Sequence, residues 1–333
     1  MGAQLRMKAS GPSLTPIPTV RIGDITSGGK YSENWLIEEI WSARAVGLLG
    51  GPPKIFKTWI AVDLALSVAS GTKFLERFEV KEPGPVVFFG AEDPKELLKE
   101  RFLAGAEVRG LIFESLEIYL LDVAVLRLDQ AKDQLRLAQT LRQLRPRLLI
   151  LDPLVRMHRL DENSATEISG LLSYIRALER EYEVAILIVH HTRKEIGSSQ
   201  HPGQGLRGSS DLHAFGDSNL YMRRNRDGLL LTVEHRSAPA PGPILLDFVA
   251  QPHPHLVVKS QSESPASGEK DGFLEEVLYQ LEASASPLQV EELRSRLRVR
   301  KQRVVDALKT LVDAGQVERL GEGYVCKTQL PAE

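Results

Sequence analysis

Residues 45–71 read AVGLLGGPPKIFKTWIAVDLALSVASG, and the rest of the fold can be worked out from this stretch. An apolar run (45–50) leads into a turn rich in Gly and Pro, and apolar residues at helical spacing follow. A strand, a glycine-containing loop and a helix in this order form a phosphate-binding loop, where backbone N–H groups and the helix N-terminus hold phosphate oxygens. We therefore expect nucleotide binding; a Pro/Gly turn that only caps a helix is the alternative.

The loop itself matches the pattern G-x-x-x-x-G-K-[ST] at Gly51, Lys57 and Thr58, which we expect to bind ATP. Lys57 would reach the β and γ phosphates, and the Thr58 hydroxyl would bind Mg²⁺. Phe56 stands where the pattern has its second glycine, and its side chain occupies a point of close backbone approach. We expect Phe56 to lower nucleotide affinity and turnover, and Lys54, an extra cation, to compensate in part.

The central region alternates apolar runs with helical patterns. Further apolar runs lie at 85–92, 116–122, 147–152 and 184–190. Helical patterns lie at 57–71, 94–109, 128–144 and 165–182. Strands buried on both faces and joined by helices predict an α/β fold with a doubly wound, mostly parallel sheet. Shorter runs separated by turns at 217–258 predict an antiparallel extension of that sheet.

Three carboxylates follow these apolar runs at the edge where doubly wound sheets bind ligands. Asp152 could hold Mg²⁺ near Thr58, and Glu92 could polarise the water that attacks the γ phosphate. Helix capping is the alternative for each of them. Taken alone, Asp152 is better interpreted in this way, and Asp93 fits it well because Pro94 follows and favours the first helical position.

His190 and His191 end the last apolar run, and neighbouring strand residues point to opposite faces. We expect one histidine to be packed and the other to face the nucleotide edge. The sequence has no C-x-x-C or H-E-x-x-H pattern, so we do not expect a transition-metal site. The Gly- and Ser-rich stretch 195–218 predicts a loop, on which Arg207 is either an arginine finger or a solvated side chain.

Composition narrows the class of protein. The 333 residues include 42 Lys+Arg and 44 Asp+Glu, so a net charge of −2 gives no overall attraction to nucleic acid. No apolar stretch is long enough to span a bilayer, and residues 1–20 lack the apolar segment of a secretory signal. Cys326 is the single cysteine, which excludes an internal disulfide. We expect a cytoplasmic protein without membrane association.

Four regions follow from the patterning. We expect a flexible tail at 1–30, the α/β domain at 31–258 and a Ser/Gly-rich linker at 259–271. Residues 272–330 carry three helical patterns and then two short strands, the arrangement of a small winged helix-turn-helix domain.

The last region carries a local basic run, with six cations and no acid between Arg294 and Arg303. Arg298, Arg300, Lys301 and Arg303 precede or begin its third helix, and recognition helices contact DNA through their N-terminal residues. These four residues are our candidates for duplex DNA binding. A solvated helix end or a protein-docking module is the alternative.

In their order, these elements resemble the RecA-like P-loop ATPases, and they are similar to the hexameric RepA-type replicative helicases, which have an AAA-type ATPase domain. The resemblance covers residues 35–250 and rests on GGPPKIFKTWIAVDLALSVASG, FFGAEDP, LLILDPLVRMHRLDENSATEI, LIVHHTRK and LRGSSDL. It matches Lys57, Thr58 and Asp152 to the phosphate and Mg²⁺ residues of that family. The C-terminal region lies outside the family's core.

The resemblance also implies roles for residues that the pattern alone leaves open. Glu92 matches the catalytic glutamate, His191 the γ-phosphate sensor, and Arg207 the arginine finger contributed across a subunit interface. The loop after His191 resembles a pore loop, where Arg193 and Lys194 would contact single-stranded DNA. A homo-oligomer is implied, with a hexamer favoured.

Two functions therefore remain open. The first is an ATP-hydrolysing motor of the helicase, replication or recombination type that acts on DNA as a ring or filament. The second is a DNA-binding regulator or scaffold whose ATPase fold is weakened by Phe56. Glu92, Asp152, His191 and Arg207 are all present, which favours the first function.

Overall fold

The computed structural model falls into two compact units, Met1–Lys259 and Ser260–Glu333. The residues that it describes are 18–24, 34–162, 164–191, 210–225, 228–259, 274, 276–282, 284, 286–297, 299, 301–321 and 323–326. The tail expected at 1–30 and the linker expected at 259–271 lie largely outside these residues.

The first unit is built around one large sheet. Its strands are β1 (Trp35–Ile37), β2 (Trp41–Ser42), β3 (Val46–Gly51), β4 (Val86–Gly90), β5 (Ile118–Leu120), β6 (Leu148–Asp152), β7 (Ala185–His191), β8 (Ser218–Asn225), β9 (Gly228–His235), β10 (Ile244–Val249) and β11 (His255–Val258). β1 and β2 pair with each other, and the other nine strands form the order β11-β10-β9-β8-β3-β7-β6-β4-β5. The six strands from β8 to β5 are parallel, and β9, β10 and β11 extend the sheet antiparallel. The predicted α/β class and mostly parallel sheet are confirmed.

Helices cover both faces of this sheet. They are α1 (Lys57–Ser70), α2 (Lys95–Val108), α3 (Ala131–Leu144), α4 (Ala165–Tyr182) and the short α5 (Ser210–Phe215). Successive strand residues point to opposite faces, so Leu49 packs with α1 and α2 whereas Leu48 packs with α3 and α4. Among the described residues, no helix is both long and apolar enough to cross a membrane.

The register of the parallel strands brings four strand ends to one edge. Gly51 at the end of β3 lies beside His191 at the end of β7, and Gly90 at the end of β4 lies beside Asp152 at the end of β6. A side chain on Gly51 would place its Cβ 2.7 Å from the Met222 carbonyl oxygen of β8, so glycine is required for this close approach.

The second unit has its own small core. Residues 276–282 are helical, and α6 (Val290–Leu297), α7 (Lys301–Asp313), β12 (Val317–Leu320) and β13 (Gly323–Cys326) follow. β12 and β13 pair antiparallel, and Leu288 forms a bridge to Tyr324. Cys326 is 3% exposed and packs into the same core as the helices.

A buried ion pair fixes α1 to the end of α2. The Arg109 guanidinium donates to Asp63 at 2.6 Å, and both side chains are less than a tenth exposed. Asp63 also accepts a hydrogen bond from the Leu75 backbone N–H at 2.9 Å. Because α1 begins directly at the predicted phosphate loop, this pair contributes to holding the loop in place.

We predict that Asp63→Ala lowers the free energy of unfolding by about 3–5 kcal/mol, because it leaves the buried Arg109 without its carboxylate. Asp122→Ala is the matched control, since Asp122 pairs with Lys95 on the surface, and it should cost less than about 1 kcal/mol. Urea unfolding of both variants measures the difference. Equal losses in the two variants would show that the buried pair has no special role.

Candidate functional site

The loop between β3 and α1 turns through left-handed backbone at two positions. Lys54 has φ 63°, and Phe56, which directly precedes α1, has φ 67° and ψ 22°. Phe56 therefore keeps the backbone conformation that glycine usually supplies at this point. Its ring packs against Phe248, with ring centroids 4.4 Å apart.

Lys57 is the best-enclosed cation of the loop, with only 5% of its surface exposed. Its ammonium donates to the carbonyl oxygens of Gly51 at 2.9 Å and Pro52 at 2.8 Å, and lies 3.2 Å from His191 Nδ1. Because an ammonium can only donate hydrogen bonds, His191 Nδ1 accepts in this contact when Lys57 is protonated. Burial lowers the pKa of Lys57 to about 8, opposed by the nearby carboxylates of Asp152 and Glu92.

Asp152 and Thr58 meet at the same edge of the sheet. The Thr58 hydroxyl donates to the Asp152 carboxylate at 2.8 Å. Burial raises the pKa of Asp152 to about 6, while the Thr58 hydrogen bond and Lys57 act in the opposite direction. Asp152 is thus ionised above about pH 6 and Lys57 is protonated below about pH 8. A carboxylate and a hydroxyl beside a phosphate site are the ligand types that fit Mg²⁺.

Glu92 lines the same cavity and remains close to half exposed. One of its carboxylate oxygens accepts a hydrogen bond from Arg156 Nε at 2.8 Å. Arg156 belongs to a short 3₁₀ helix, Leu154–Arg156, that follows β6. Glu92 is therefore accessible to a water molecule or a ligand, and Arg156 orients it.

Asp93 differs from the sequence-based expectation. Pro94 is the N-cap and not the first residue of α2, which begins at Lys95, and no side chain caps this helix. Asp93 instead forms an ion pair with Arg101, about two helical turns further along. The carboxylate is drawn away from the backbone N–H groups because a guanidinium offers a stronger, charge-assisted hydrogen bond.

An aromatic wall closes one side of the cavity, whose volume is about 370 Å³. Trp59 and Phe56 line it, the Arg101 guanidinium lies 5.5 Å from the Trp59 ring centroid, and Phe248 supports both rings from behind. Sequence reasoning missed Trp59, Arg101 and Phe248. The only available signal was an aromatic residue next to Thr58, and on a helix that pattern usually means core packing.

The two adjacent histidines have different environments, as the strand geometry predicted. His191 faces Lys57, whereas His190 is 2% exposed and its Nε2 lies 3.2 Å from the Glu162 carboxylate. His158 lies 3.2 Å from the other oxygen of Glu162. Burial disfavours ionisation of Glu162, but its close contacts with His158 and His190 outweigh this effect and lower its pKa to about 2. Within the described residues, no set of His, Cys, Asp or Glu is arranged to hold a metal ion by itself.

Several predicted site residues lie outside the described residues. They are Arg193, Lys194, Arg207, Arg298 and Arg300. Lys301 and Arg303 are described, and both are exposed on the first turn of α7. The residues that the structure brings together are thus Lys54, Lys57, Thr58, Glu92, Asp152 and His191, all of which line one cavity beside Gly51.

The fold of this chain is similar to that of solved ATPase and helicase structures. A solved ATPase domain superimposes with a TM-score of 0.51 at 16% identity, covering 65% of this chain and 85% of that one. A DnaB-like replicative helicase, solved with its interactions with primase, gives the same TM-score and identity, and the match spans 59% of its length. The RadB recombinase superimposes with a TM-score of 0.43 at 17% identity, over 62% of this chain and 88% of that one.

A family model described as an AAA domain matches residues 12–197, which is more than half of the chain and includes the phosphate loop, Glu92, Asp152 and His191. The fold is thus similar to that of the solved ATPase domain and of the DnaB-like helicase, and the chain belongs to the AAA domain family.

Proposed function

We propose that this protein binds and hydrolyses ATP with Mg²⁺ and uses the reaction to act on DNA. One observation carries the proposal: Lys57, Thr58, Asp152 and His191 converge around a single cavity at the carboxyl edge of the sheet. The site thus combines a cation, a hydroxyl, a carboxylate and an imidazole, the groups that phosphoryl transfer uses.

Nucleotide binding depends on Lys57 and on the loop around it. The ammonium would exchange the contacts shown here for contacts with the β and γ phosphates, and Lys54 would add a second, exposed cation. The N-terminus of α1 adds backbone N–H groups that favour anions. Trp59 and Arg101 both line the cavity and would offer stacking partners for a purine base.

Mg²⁺ would be held by Thr58 and, directly or through water, by Asp152. The ion neutralises charge on the transferring phosphoryl group when it is bound. The residues present fit it, because Mg²⁺ in nucleotide sites takes one or two protein oxygens besides the phosphates. Asp152 contributes in its ionised form, and its pKa of about 6 leaves it ionised at neutral pH.

Hydrolysis is assigned to three further residues. Glu92 would accept a proton from the attacking water, oriented by Arg156 at 2.8 Å. His191 would respond to the γ phosphate, because its contact with Lys57 is among those that a bound phosphate would replace. Arg207 would reach the phosphates of a neighbouring subunit as an arginine finger, which makes the proposed enzyme a ring or filament, with a hexamer favoured.

We predict that Lys57→Ala removes most ATP binding, because no other enclosed cation of the described loop reaches this cavity. Titration calorimetry with Mg-ATP measures the loss. Lys132→Ala, an exposed lysine on α3, is the matched control and should bind like the wild type. A wild-type chain that does not bind millimolar Mg-ATP would refute the proposal.

We also predict that Glu92→Gln binds ATP normally but hydrolyses it about 10²- to 10⁴-fold more slowly, because a general base contributes about that much to rate. Phosphate release measures turnover, and the calorimetric experiment measures binding. Glu96→Gln, an exposed glutamate in the first turn of α2, should retain full turnover. Equal rates for the two variants would exclude Glu92 as the base.

The DNA partner is proposed from two regions. The family resemblance places single-stranded DNA at the loop that follows His191, with Arg193 and Lys194 as contacts. One solved structure of similar fold is a DnaB-like replicative helicase, which supports the proposal that this protein acts on DNA. A loop with two cations and few aromatic residues would bind mainly through electrostatic attraction.

The second unit supports a winged helix-turn-helix assignment. Three helices precede the antiparallel β12 and β13, and the bridge from Leu288 to Tyr324 adds a third chain segment to this hairpin. In that arrangement α7 would be the recognition helix, and Lys301 and Arg303 on its first turn would face the duplex, joined by Arg298 and Arg300.

We predict that the triple variant Arg298→Ala, Arg300→Ala, Lys301→Ala flattens the slope of log K for duplex DNA against log salt by about two to three units. Each phosphate contact contributes about −0.9 to that slope, and ATP turnover without DNA should not change. A triple alanine variant of Lys132, Arg136 and Arg142, which are exposed on α3, is the control for net charge. If the slope is unchanged in the Arg298, Arg300 and Lys301 variant, this unit docks a protein and does not bind DNA. That result would favour the alternative function, a regulator or scaffold.

A further inference from the structure

Phe56 has a backbone conformation that residues with a side chain rarely adopt. Its φ of 67° and ψ of 22° lie in the left-handed region, and its carbonyl oxygen accepts the Ile60 N–H at 3.2 Å in the first turn of α1. Glycine enters this region without steric cost, whereas a Cβ makes it unfavourable. The surroundings of Phe56 must therefore offset the steric cost of this conformation.

Contacts between three aromatic rings offset this steric cost. The Phe56 and Phe248 rings lie 4.4 Å apart and are tilted by 31°, and Trp59 packs edge-on against Phe248 at 5.4 Å. All three side chains are half-buried. Phe248 belongs to β10, in the antiparallel part of the sheet, and aromatic pairs at this separation attract each other beyond the effect of burial alone.

We propose that Phe248 is a positioning residue for the phosphate loop, and that its contact with Phe56 replaces the conformational freedom of glycine. The inference rests on the nucleotide binding proposed above. Phe56 directly precedes Lys57 and Thr58, so a loss of the left-handed turn would displace the ammonium, the hydroxyl and the backbone N–H groups that meet the phosphates. The antiparallel extension thereby contributes to phosphate binding without touching the phosphates.

The experiment uses the full chain and compares the Kd values of Mg-ATP and of inorganic tripolyphosphate with Mg²⁺. Phe248→Ala and Phe56→Ala should each weaken the binding of both ligands about tenfold, equivalent to about 1.4 kcal/mol, because each keeps a Cβ at position 56 without its anchor. Phe56→Gly should bind at least as tightly as the wild type, because glycine needs no anchor in this conformation.

The double variant Phe56→Gly, Phe248→Ala provides the sharpest comparison. It should bind like Phe56→Gly, because Phe248 matters only while residue 56 carries a Cβ. Phe113→Ala is the matched control, since Phe113 is a half-buried aromatic residue of the same core that does not line the cavity, and its Kd should not change. If Phe248→Ala unfolds, Phe248→Leu keeps the apolar bulk and should still weaken tripolyphosphate binding.

Three outcomes would overturn the inference. Phe248→Ala could weaken ATP but not tripolyphosphate, which would make Phe248 a contact of the base. Phe56→Ala could bind as tightly as Phe56→Gly, which would remove the need for an anchor. A wild-type chain that binds neither ligand would refute the proposed nucleotide binding itself, a pattern distinct from the other two.

Discussion

The buried ammonium of Lys57 is the constraint around which the site is arranged. A charge removed from water is costly unless hydrogen bonds replace its hydration, and the loop carbonyls of Gly51 and Pro52 and the ring of His191 supply them. Those three partners come from two strands and one turn. The loop can therefore close around Lys57 only when β3 and β7 are in the register that sets Gly51 beside His191.

Local signals were sufficient to predict most of the elements that carry the site. The pattern at 165–182 predicted a helix with the observed bounds, and the run at 147–152 differs from β6 by one residue. The run at 116–122 shortens to Ile118–Leu120 because β5 lies at the edge of the sheet and pairs only with β4. An apolar run in the sequence indicates burial but not the number of neighbouring strands. An edge strand has a neighbour on one side only, so its hydrogen-bonded part can be shorter than the apolar run.

The contacts between distant segments could not be predicted in the same way. The sequence marks Phe56 as a departure from a glycine, but nothing near it in the chain indicates that Phe248 lies against its ring. The pairing of Asp93 with Arg101 likewise depends on where α2 begins, and element ends are set by competing caps and ion pairs. Such contacts depend on three-dimensional neighbours, whereas periodicity reports only the environment of each element.

The position of Cys326 gives the second unit a built-in chemical reporter. It is the only thiol of the chain, and it is enclosed in the core that α6, α7 and β12 share. A thiol reagent can reach it only when that core opens, so the rate of modification measures the local opening free energy of the second unit. The first unit has no thiol, and the reagent therefore reads the stability of one unit separately from that of the other.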